Sequence, residues 1–198
     1  MAGGVLTGAG AAAPDAGPSA NGRIAFETDW VGEVPAVHRV DVTTGRSVLQ
    51  TELEDGMTLV ASPDRSTVLF FVASDPEQPS SPSIWRMAVD GSGKERVAFG
   101  SSPAWSPDGR KIVFVTAAGA VATATADGGD VRNLAAGRAP AWSPDGRSIA
   151  YVADGAAGSS VVLAAADGTG ARSIHDGADA ATTLAWSPDG AHLAVSTP

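Results

Sequence analysis

The sequence predicts an all-β protein, a β-propeller of four-stranded antiparallel blades. One string, residues 103–115, returns almost unchanged as residues 140–152 and in part as residues 184–195. A weaker copy occupies residues 62–72, and the equivalent serines of the four copies lie 44, 37 and 44 residues apart. Self-similarity at such a period is typical of repeat architectures. No helix is expected, because no stretch of ten residues free of Gly and Pro shows the helical spacing of apolar residues.

Each copy centres on Ser-Pro-Asp-Gly, which predicts a β-hairpin turn. Serine suits the first position of a type I turn, proline fixes φ at the second, aspartate suits the third, and glycine takes the left-handed conformation at the fourth. The apolar strand that follows, such as residues 112–115, indicates a strand covered on both faces. The tryptophan that ends each first strand is expected between neighbouring blades. The structural repeat residues are Trp105, Ser106, Pro107, Asp108, Gly109, Trp142, Ser143, Pro144, Asp145, Gly146, Trp186, Ser187, Pro188, Asp189 and Gly190.

Two further strands complete each unit. Asp-Gly between two β-prone runs is a strong hairpin signal, and it follows every predicted third strand. Four antiparallel strands repeated about an axis describe a propeller whose blades pack face to face. The third strands are predicted at residues 84–89, 121–126 and 161–166, and the fourth at residues 95–99, 131–135 and 171–174.

The N-terminal copies depart from the pattern. A strand at residues 24–28 is predicted to lead through a loop containing Trp30 and Pro35 into strands at residues 37–42 and 47–50. The copy near residue 62 has Arg65 in place of the turn glycine and Val60 in the place of the tryptophan, so this blade is expected to be less regular at its turn.

The predicted organisation is an arm followed by one propeller. Residues 1–20 are rich in Gly and Ala and are expected to be a flexible arm; the remnant of a secretory signal is the alternative. Residues 21–198 are assigned to the propeller, with hairpins near residues 62, 106, 143 and 187. They suffice for an incomplete ring of about four to five blades, whose open edge would invite self-association.

Composition and motifs argue against several functions. Thirteen basic residues stand against 22 acidic ones, giving a net charge of −9, so neither nucleic acid nor an anionic membrane is the expected partner. The chain lacks cysteine, and no run of apolar residues is long enough to span a bilayer. His38, His175 and His192 show no metal-binding spacing, and no nucleophile elbow or phosphate loop is present. No catalytic residue, metal or cofactor is therefore predicted, and the chain is not expected to be an enzyme.

The repeat resembles a known family. The string in residues 103–115, paired with Ala-Asp-Gly about twenty residues later, is similar to the WD-like propeller repeat of TolB-like proteins. That resemblance implies a non-catalytic scaffold that holds partner proteins. It also implies a location in the periplasm or elsewhere outside the cytoplasm, with the cytoplasm as the alternative. The same repeat occurs in prolyl-oligopeptidase-type serine peptidases, so the alternative is a gating propeller without its hydrolase domain.

Partner binding is predicted on one rim of the disc. The two kinds of glycine turn must share a rim, because they join the first strand to the second and the third to the fourth. The opposite rim carries loops of variable length, and such loops on a rigid scaffold are where binding usually occurs. The candidate partner-facing residues are Trp30, Glu33, Glu77, His175 and Asp176.

Overall fold

The computed structural model describes residues 24–31, 34–41, 46–52, 59–73, 75–156, 158–178, 181 and 183–196. Of the first three ranges, only backbone pairing is described. The predicted arm at residues 1–20 lies outside these ranges. Within them every paired strand is antiparallel and no helix occurs, which confirms the all-β prediction. The described residues consequently include no helix long and apolar enough to cross a membrane.

Sixteen strands form the described fold. They are β1 (Ile24–Val31), β2 (Val34–Asp41), β3 (Arg46–Glu52), β4 (Leu59–Ala61), β5 (Thr67–Val72), β6 (Ser83–Ala88), β7 (Glu95–Trp105), β8 (Lys111–Thr116), β9 (Ala120–Thr125), β10 (Arg132–Ala136), β11 (Arg138–Trp142), β12 (Ser148–Gly155), β13 (Gly158–Ala165), β14 (Arg172–Asp176), β15 (Thr183–Trp186) and β16 (Leu193–Ser196).

These strands build three complete blades of a propeller. Blade A consists of β4, β5, β6 and the first half of β7, and blade B of the second half of β7 with β8, β9 and β10. The strand β7 serves both, since Phe99 pairs with β6 and Gly100 pairs with β8. Blade C is β11 to β14, the three-stranded sheet β1 to β3 precedes blade A in the chain, and the two-stranded sheet D, β15 and β16, follows blade C. This arrangement is the predicted incomplete propeller of four to five blades.

The core lies between the blades. One cluster joins Leu69 and Ile84 of blade A to Ile112 and Phe114 of blade B. Equivalent clusters join blade B to blade C and blade C to sheet D, and each contains the tryptophan of the later first strand. The predicted location of these tryptophans between blades is therefore confirmed.

Three details differ from the sequence predictions. Trp30 lies in β1 and pairs with Pro35 of β2 across a hairpin with a two-residue connection. The prediction of a longer loop is therefore wrong. The reason is that β-prone residues around Trp30 extend the strand pairing to the tip of the hairpin. Ala61, not Val60, occupies the tryptophan place, because Ala61 pairs with Val68 as Trp105 pairs with Ile112.

The turn at Arg65 is as regular as the others, contrary to prediction. Arg65 adopts the left-handed φ of 61°, and its amide donates to the Ser62 carbonyl at 2.8 Å, as the amide of Gly109 donates to that of Ser106 at 2.9 Å. The side chains of Ser62 and Asp64 maintain the turn without glycine, since their hydrogen bonds match those of the other copies.

Candidate functional site

One rim, the turn rim, consists of the four Ser-Pro-Asp turns at residues 62–67, 106–111, 143–148 and 187–192. In blade B, Ser106 Oγ donates to Asp108 Oδ1 at 2.6 Å and accepts from the Lys111 amide at 2.9 Å. Asp108 Oδ1 also accepts from the Arg110 amide at 3.1 Å. The Ser106 hydroxyl, followed by the Arg110 amide, holds the pKa of Asp108 below its ordinary value. The same bonds recur in the other three turns, where the serine hydroxyl likewise lowers the pKa of the aspartate.

Consecutive turns stack on one another. A Cβ on Gly109 would lie 3.5 Å from Cδ of Pro63, and a Cβ on Gly190 would lie 3.7 Å from Cδ of Pro144. These are ordinary van der Waals distances. The aspartates of the turn rim are thus occupied by structural hydrogen bonds, which leaves the opposite rim as the better candidate for binding.

The opposite rim, the loop rim, carries the connections from second to third strands and from blade to blade. Its longest described connection lies between β5 and β6, and it is organised by Asp75, whose side chain is fully buried. Asp75 Oδ1 accepts from the amides of Glu77 at 2.9 Å and Gln78 at 3.1 Å, and from Arg96 Nη1 at 3.2 Å. The loop is therefore fixed from inside by one carboxylate.

The pKa of Asp75 reflects two opposing effects, its burial and its hydrogen bonds. Burial alone would raise the pKa, because it disfavours the charged form. Hydrogen bonds from Ser83 and from the amides of Glu77 and Gln78, together with the charge of Arg96, outweigh burial and leave the pKa below its ordinary value. The fold therefore stabilises the ionised form of the Asp75 carboxylate.

Arg96 connects this loop to an aromatic surface. Its Nη1 lies 2.9 Å from Glu77 Oε2, and its Cζ lies 4.5 Å from the centroid of the Phe99 ring. Lys94 Nζ lies 5.6 Å from the centroid of Trp85, within the range of a cation–π contact. Glu77 is held by this arginine while its side chain stays 71% exposed.

Arg138 of β11 forms an ion pair and hydrogen bonds where blade C meets sheet D. Its guanidinium forms an ion pair with Asp154, near the end of β12. It also donates to the carbonyls of Ala178 at 3.3 Å and Ala181 at 3.4 Å, in the connection to sheet D. Ser159 Oγ donates to Asp154 at 2.6 Å. One side chain therefore joins the end of the β12–β13 hairpin to the connection that leads to sheet D.

The predicted partner-facing residues fall at three places. Glu77 lies in the loop of blade A, while His175 and Asp176 are exposed at the end of β14 in blade C, with all of blade B between them. Asp176 Oδ1 accepts from Ser173 Oγ at 2.8 Å. Trp30 is described only by its backbone, and Glu33 lies outside the described residues. Their role in binding stays a prediction.

Sequence reasoning missed Asp75, Arg96 and Arg138. The pattern Asp-Pro-Glu-Gln at residue 75 is a signal for an aspartate that caps its own loop. The arginines left no local signal, because their partners lie 16 to 43 residues away. In the ranges that the structure describes, no group of three or more His, Asp or Glu side chains could hold a metal ion.

Comparison with known proteins identifies the fold. No protein-family model matches the chain, and no curated protein matches it. Solved structures do match: TolB from Acinetobacter baumannii, at 22% identity and a TM-score of 0.55, covers 72% of this chain and 38% of its own. Oligogalacturonate lyase from Vibrio parahaemolyticus has 16% identity and a TM-score of 0.65, covering 86% of this chain and 55% of its own.

A protease domain is similar as well. The β-propeller domain of the Trilobed protease from Pyrococcus furiosus, described as having an open velcro topology, has 13% identity and a TM-score of 0.61 and covers 87% of this chain and 59% of its own. This chain thus spans between about two fifths and three fifths of the three structures' lengths. At these identities the likeness shows the propeller fold alone, and the fold serves many functions.

Proposed function

We propose that this chain is a non-catalytic protein-binding scaffold, similar in role to TolB-like propellers of the cell envelope, and that it acts in the periplasm or elsewhere outside the cytoplasm. The observation that carries the proposal is the loop rim, where Asp75 and Arg96 hold one loop, Arg138 holds the connection to sheet D, and side chains such as Glu77 stay exposed. The fold match to TolB supports the choice of family.

Fixed loops favour protein binding for an energetic reason. Ordering a mobile side chain on binding costs about 0.5–1.5 kcal/mol, and a loop already held in place avoids part of that cost. The buried Asp75 carboxylate and the Arg138 guanidinium supply this order through their hydrogen bonds to the loops. The rim can therefore present a preorganised surface.

Charge indicates the kind of partner. The chain carries a net charge of −9, and Glu77 and Asp176 add exposed carboxylates to the loop rim. Complementary charge speeds association and excludes partners of like charge. The proposed partner is a protein with a basic surface, and not a nucleic acid.

Site-specific photo-crosslinking tests the proposal. A photoreactive phenylalanine analogue placed at Glu77 or His175 should yield a discrete adduct with a protein of a periplasmic extract. The same analogue at Arg147, an exposed position of the turn rim, is the matched control and should yield none. Equal adducts at all three positions, or adducts only at Arg147, would contradict the proposed binding rim.

A second function is favoured by one comparison, the match to the propeller domain of the Trilobed protease. In that case the chain would be the gating propeller of a prolyl-oligopeptidase-type serine peptidase. DNA directly downstream that encodes a hydrolase domain would favour this alternative, and a stop codon there would favour the scaffold.

A further inference from the structure

The connection between β5 and β6 is built from two successive β-turns. The Gln78 amide donates to the Asp75 carbonyl at 3.1 Å, and the Ser81 amide donates to the Gln78 carbonyl at 2.9 Å. Each turn has a proline, Pro76 or Pro79, at its second position, where the fixed φ of proline suits the turn. The Asp75 amide donates to the Ser81 carbonyl at 3.0 Å and closes the base. This double turn, the 75–81 loop, is therefore a fixed projection of the loop rim.

The tip of the 75–81 loop presents one carboxylate between two proline rings. Residues 76–80 are all exposed. The side chain of Glu77 stays 71% exposed although Arg96 Nη1 lies 2.9 Å from its Oε2. Among the described residues, Glu77 Oε1 has no hydrogen-bond partner. One oxygen of this carboxylate is thus held in place while the other is available to a partner.

A buried hydrogen-bond chain holds the loop from blade A. Ser83 is fully buried at the start of β6, and its Oγ accepts from Trp85 Nε1 at 2.8 Å. The Ser83 hydroxyl in turn bonds to the Asp75 carboxylate. Asp75 then accepts from the amides of Glu77 and Gln78. The backbone at Glu77 is consequently fixed by a network that ends in the core of the blade.

The charges of this network do not balance. Arg96 forms ion pairs with both Asp75, at 3.2 Å, and Glu77, so one guanidinium serves two carboxylates. No other cation of the described residues forms an ion pair with either carboxylate. At the other end of the loop rim, Arg138 pairs with the single carboxylate of Asp154. The 75–81 loop therefore lacks one positive charge, and its exposed carboxylate is that of Glu77.

We propose that the 75–81 loop binds one arginine side chain of the partner protein. Glu77 Oε1 accepts from that guanidinium while Arg96 keeps the other oxygen, so two cations then balance two carboxylates. The rings of Pro76 and Pro79 offer apolar surface to the aliphatic stem of the arginine. Arginine is preferred to lysine because a guanidinium is less strongly hydrated and carries more donors.

The same geometry assigns a positioning role to Ser83. Its hydroxyl does not reach the tip of the loop, but it bonds to the carboxylate of Asp75 that orders the Glu77 amide. The inference rests on the proposed scaffold function and names the chemical group that the partner supplies.

A titration with the isolated side-chain group tests the site. N-acetyl-arginine amide, added to the isotope-labelled full chain, should saturably shift the amide resonances of Glu77 and Gln78. N-acetyl-citrulline amide has nearly the same shape without the charge and should bind about fivefold more weakly. The Asp176 amide is the internal reference, because Asp176 is also an exposed carboxylate of the loop rim, and it should not shift at the concentration that saturates Glu77.

Charge removal at the tip is the first variant. Glu77→Gln keeps the shape of the side chain and should weaken binding of N-acetyl-arginine amide about fivefold, since a neutral acceptor forms a weaker bond with a cation. Asp176→Asn is the matched control and should leave binding unchanged.

Loss of the buried hydroxyl is the second variant. Ser83→Ala keeps the charge of Glu77, and it should accelerate hydrogen exchange at the Glu77 and Gln78 amides and weaken binding of N-acetyl-arginine amide. Ser173→Ala is the matched control, because the Ser173 hydroxyl donates to the exposed Asp176 instead, and it should change neither.

Other results would overturn the proposal. Equal shifts at Glu77 and Asp176, or equal binding of the arginine and citrulline amides, would mean adventitious contact with any surface carboxylate. Unchanged binding in Glu77→Gln would exclude Glu77 as the acceptor, and unchanged exchange and binding in Ser83→Ala would exclude its positioning role. The scaffold function is tested separately, because the photoreactive analogue at His175 leaves Glu77 intact. Adducts at His175 without arginine binding at Glu77 would reject only the arginine site.

Discussion

Gly146 lies against the pyrrolidine ring of Pro107 in the preceding blade, so that a Cβ on Gly146 would lie 3.6 Å from the proline Cδ. The distance is an ordinary contact, and space does not exclude a side chain there. The backbone does, because Gly146 has a φ of +69°. The turn rim is therefore limited by backbone conformation rather than by packing.

Gly146→Ala is expected to destabilise the protein by about 1–2 kcal/mol, the cost of a left-handed conformation for a residue with a Cβ. Urea unfolding followed by tryptophan fluorescence would measure the change in free energy. Gly146→Asn is the control and should cost less, since asparagine tolerates this conformation. An unchanged midpoint for Gly146→Ala would refute the explanation.

Arg65→Gly tests the cost of the left-handed backbone in the opposite direction, by replacing a residue that has a Cβ with glycine. Arg65 already has a φ of +61°, so glycine there removes about 1–2 kcal/mol of strain and adds about 0.5–1 kcal/mol of unfolded-state entropy. The expected result in the same urea experiment lies between no change and a gain of about 1.5 kcal/mol. A loss would mean that the arginine side chain, exposed as it is, contributes more than its backbone costs.

Local patterns were enough to predict the repeat. The turn chemistry of Ser106, Asp108 and Gly109 predicted the hairpins because each bond there joins residues at most five positions apart. The regular turn at Arg65 was missed, since a glycine rule does not weigh the Ser62–Asp64 bond that holds the turn without it.

Features that depend on distant residues were beyond the sequence. Arg138 reaches carbonyls 40 and 43 residues away, and its role depends on which blade faces it. Sequence therefore predicted the architecture and named Glu77 as a site residue, but not the contacts that hold Glu77 in place.

Acid should destabilise the fold through the turn aspartates. Serine hydroxyls hold the pKa of Asp108 and of Asp145 below the ordinary value of 3.8. Above that value the unfolded chain is also ionised and the contribution to stability is fully present. As pH falls from there through the lowered pKa, the unfolded chain binds protons first and stability is lost. Urea midpoints measured between about pH 5 and pH 2 should therefore fall with pH.

Two variants show whether these turns cause the loss. In the double variant Asp108→Asn and Asp145→Asn, the urea midpoint should decline less steeply as pH falls. The reason is that each replaced carboxylate removes at most about one proton from the difference in proton binding between the unfolded and folded chain. The pair Ser106→Ala and Ser143→Ala keeps both carboxylates, removes the hydroxyls that lower their pKa, and should flatten the profile similarly. A decline as steep as that of the unmodified chain in both variants would assign the acid sensitivity to other groups.

Arg138→Lys should loosen the junction between blade C and sheet D. A lysine keeps the charge beside Asp154 but cannot reproduce the forked bonds to the Ala178 and Ala181 carbonyls. The expected loss is about 1–2 kcal/mol. Hydrogen exchange should accelerate at the Ala178 amide, which donates to the Ser159 carbonyl at 2.8 Å.

The matched control is Arg147→Lys, at an exposed arginine of the turn rim. It should leave the Ala178 amide unaffected. If Arg138→Lys also leaves that amide and the stability unchanged, the guanidinium bonds do not hold the junction, and one support of the proposed preorganised rim is removed.

The three repeat tryptophans should respond differently to loss of the indole N–H. Trp105 Nε1 donates to the Val60 carbonyl at 3.0 Å and Trp186 Nε1 to the Ala141 carbonyl at 3.3 Å, whereas the buried Trp142 Nε1 has no acceptor among the described residues. Trp105→Phe leaves a carbonyl without its donor, while Trp142→Phe removes an unsatisfied polar group. Trp105→Phe should therefore cost about 1 kcal/mol more than Trp142→Phe in urea unfolding.

Packing alone predicts the opposite order. Trp142 is 8% exposed and Trp105 is less deeply buried, so a loss that followed only buried area would be larger for Trp142→Phe. Trp186→Phe gives a third measurement and should group with Trp105→Phe. If Trp142→Phe is the most destabilising of the three, the hydrogen bond between successive first strands is not what distinguishes these sites, and the indole of Trp142 contributes through contact area alone.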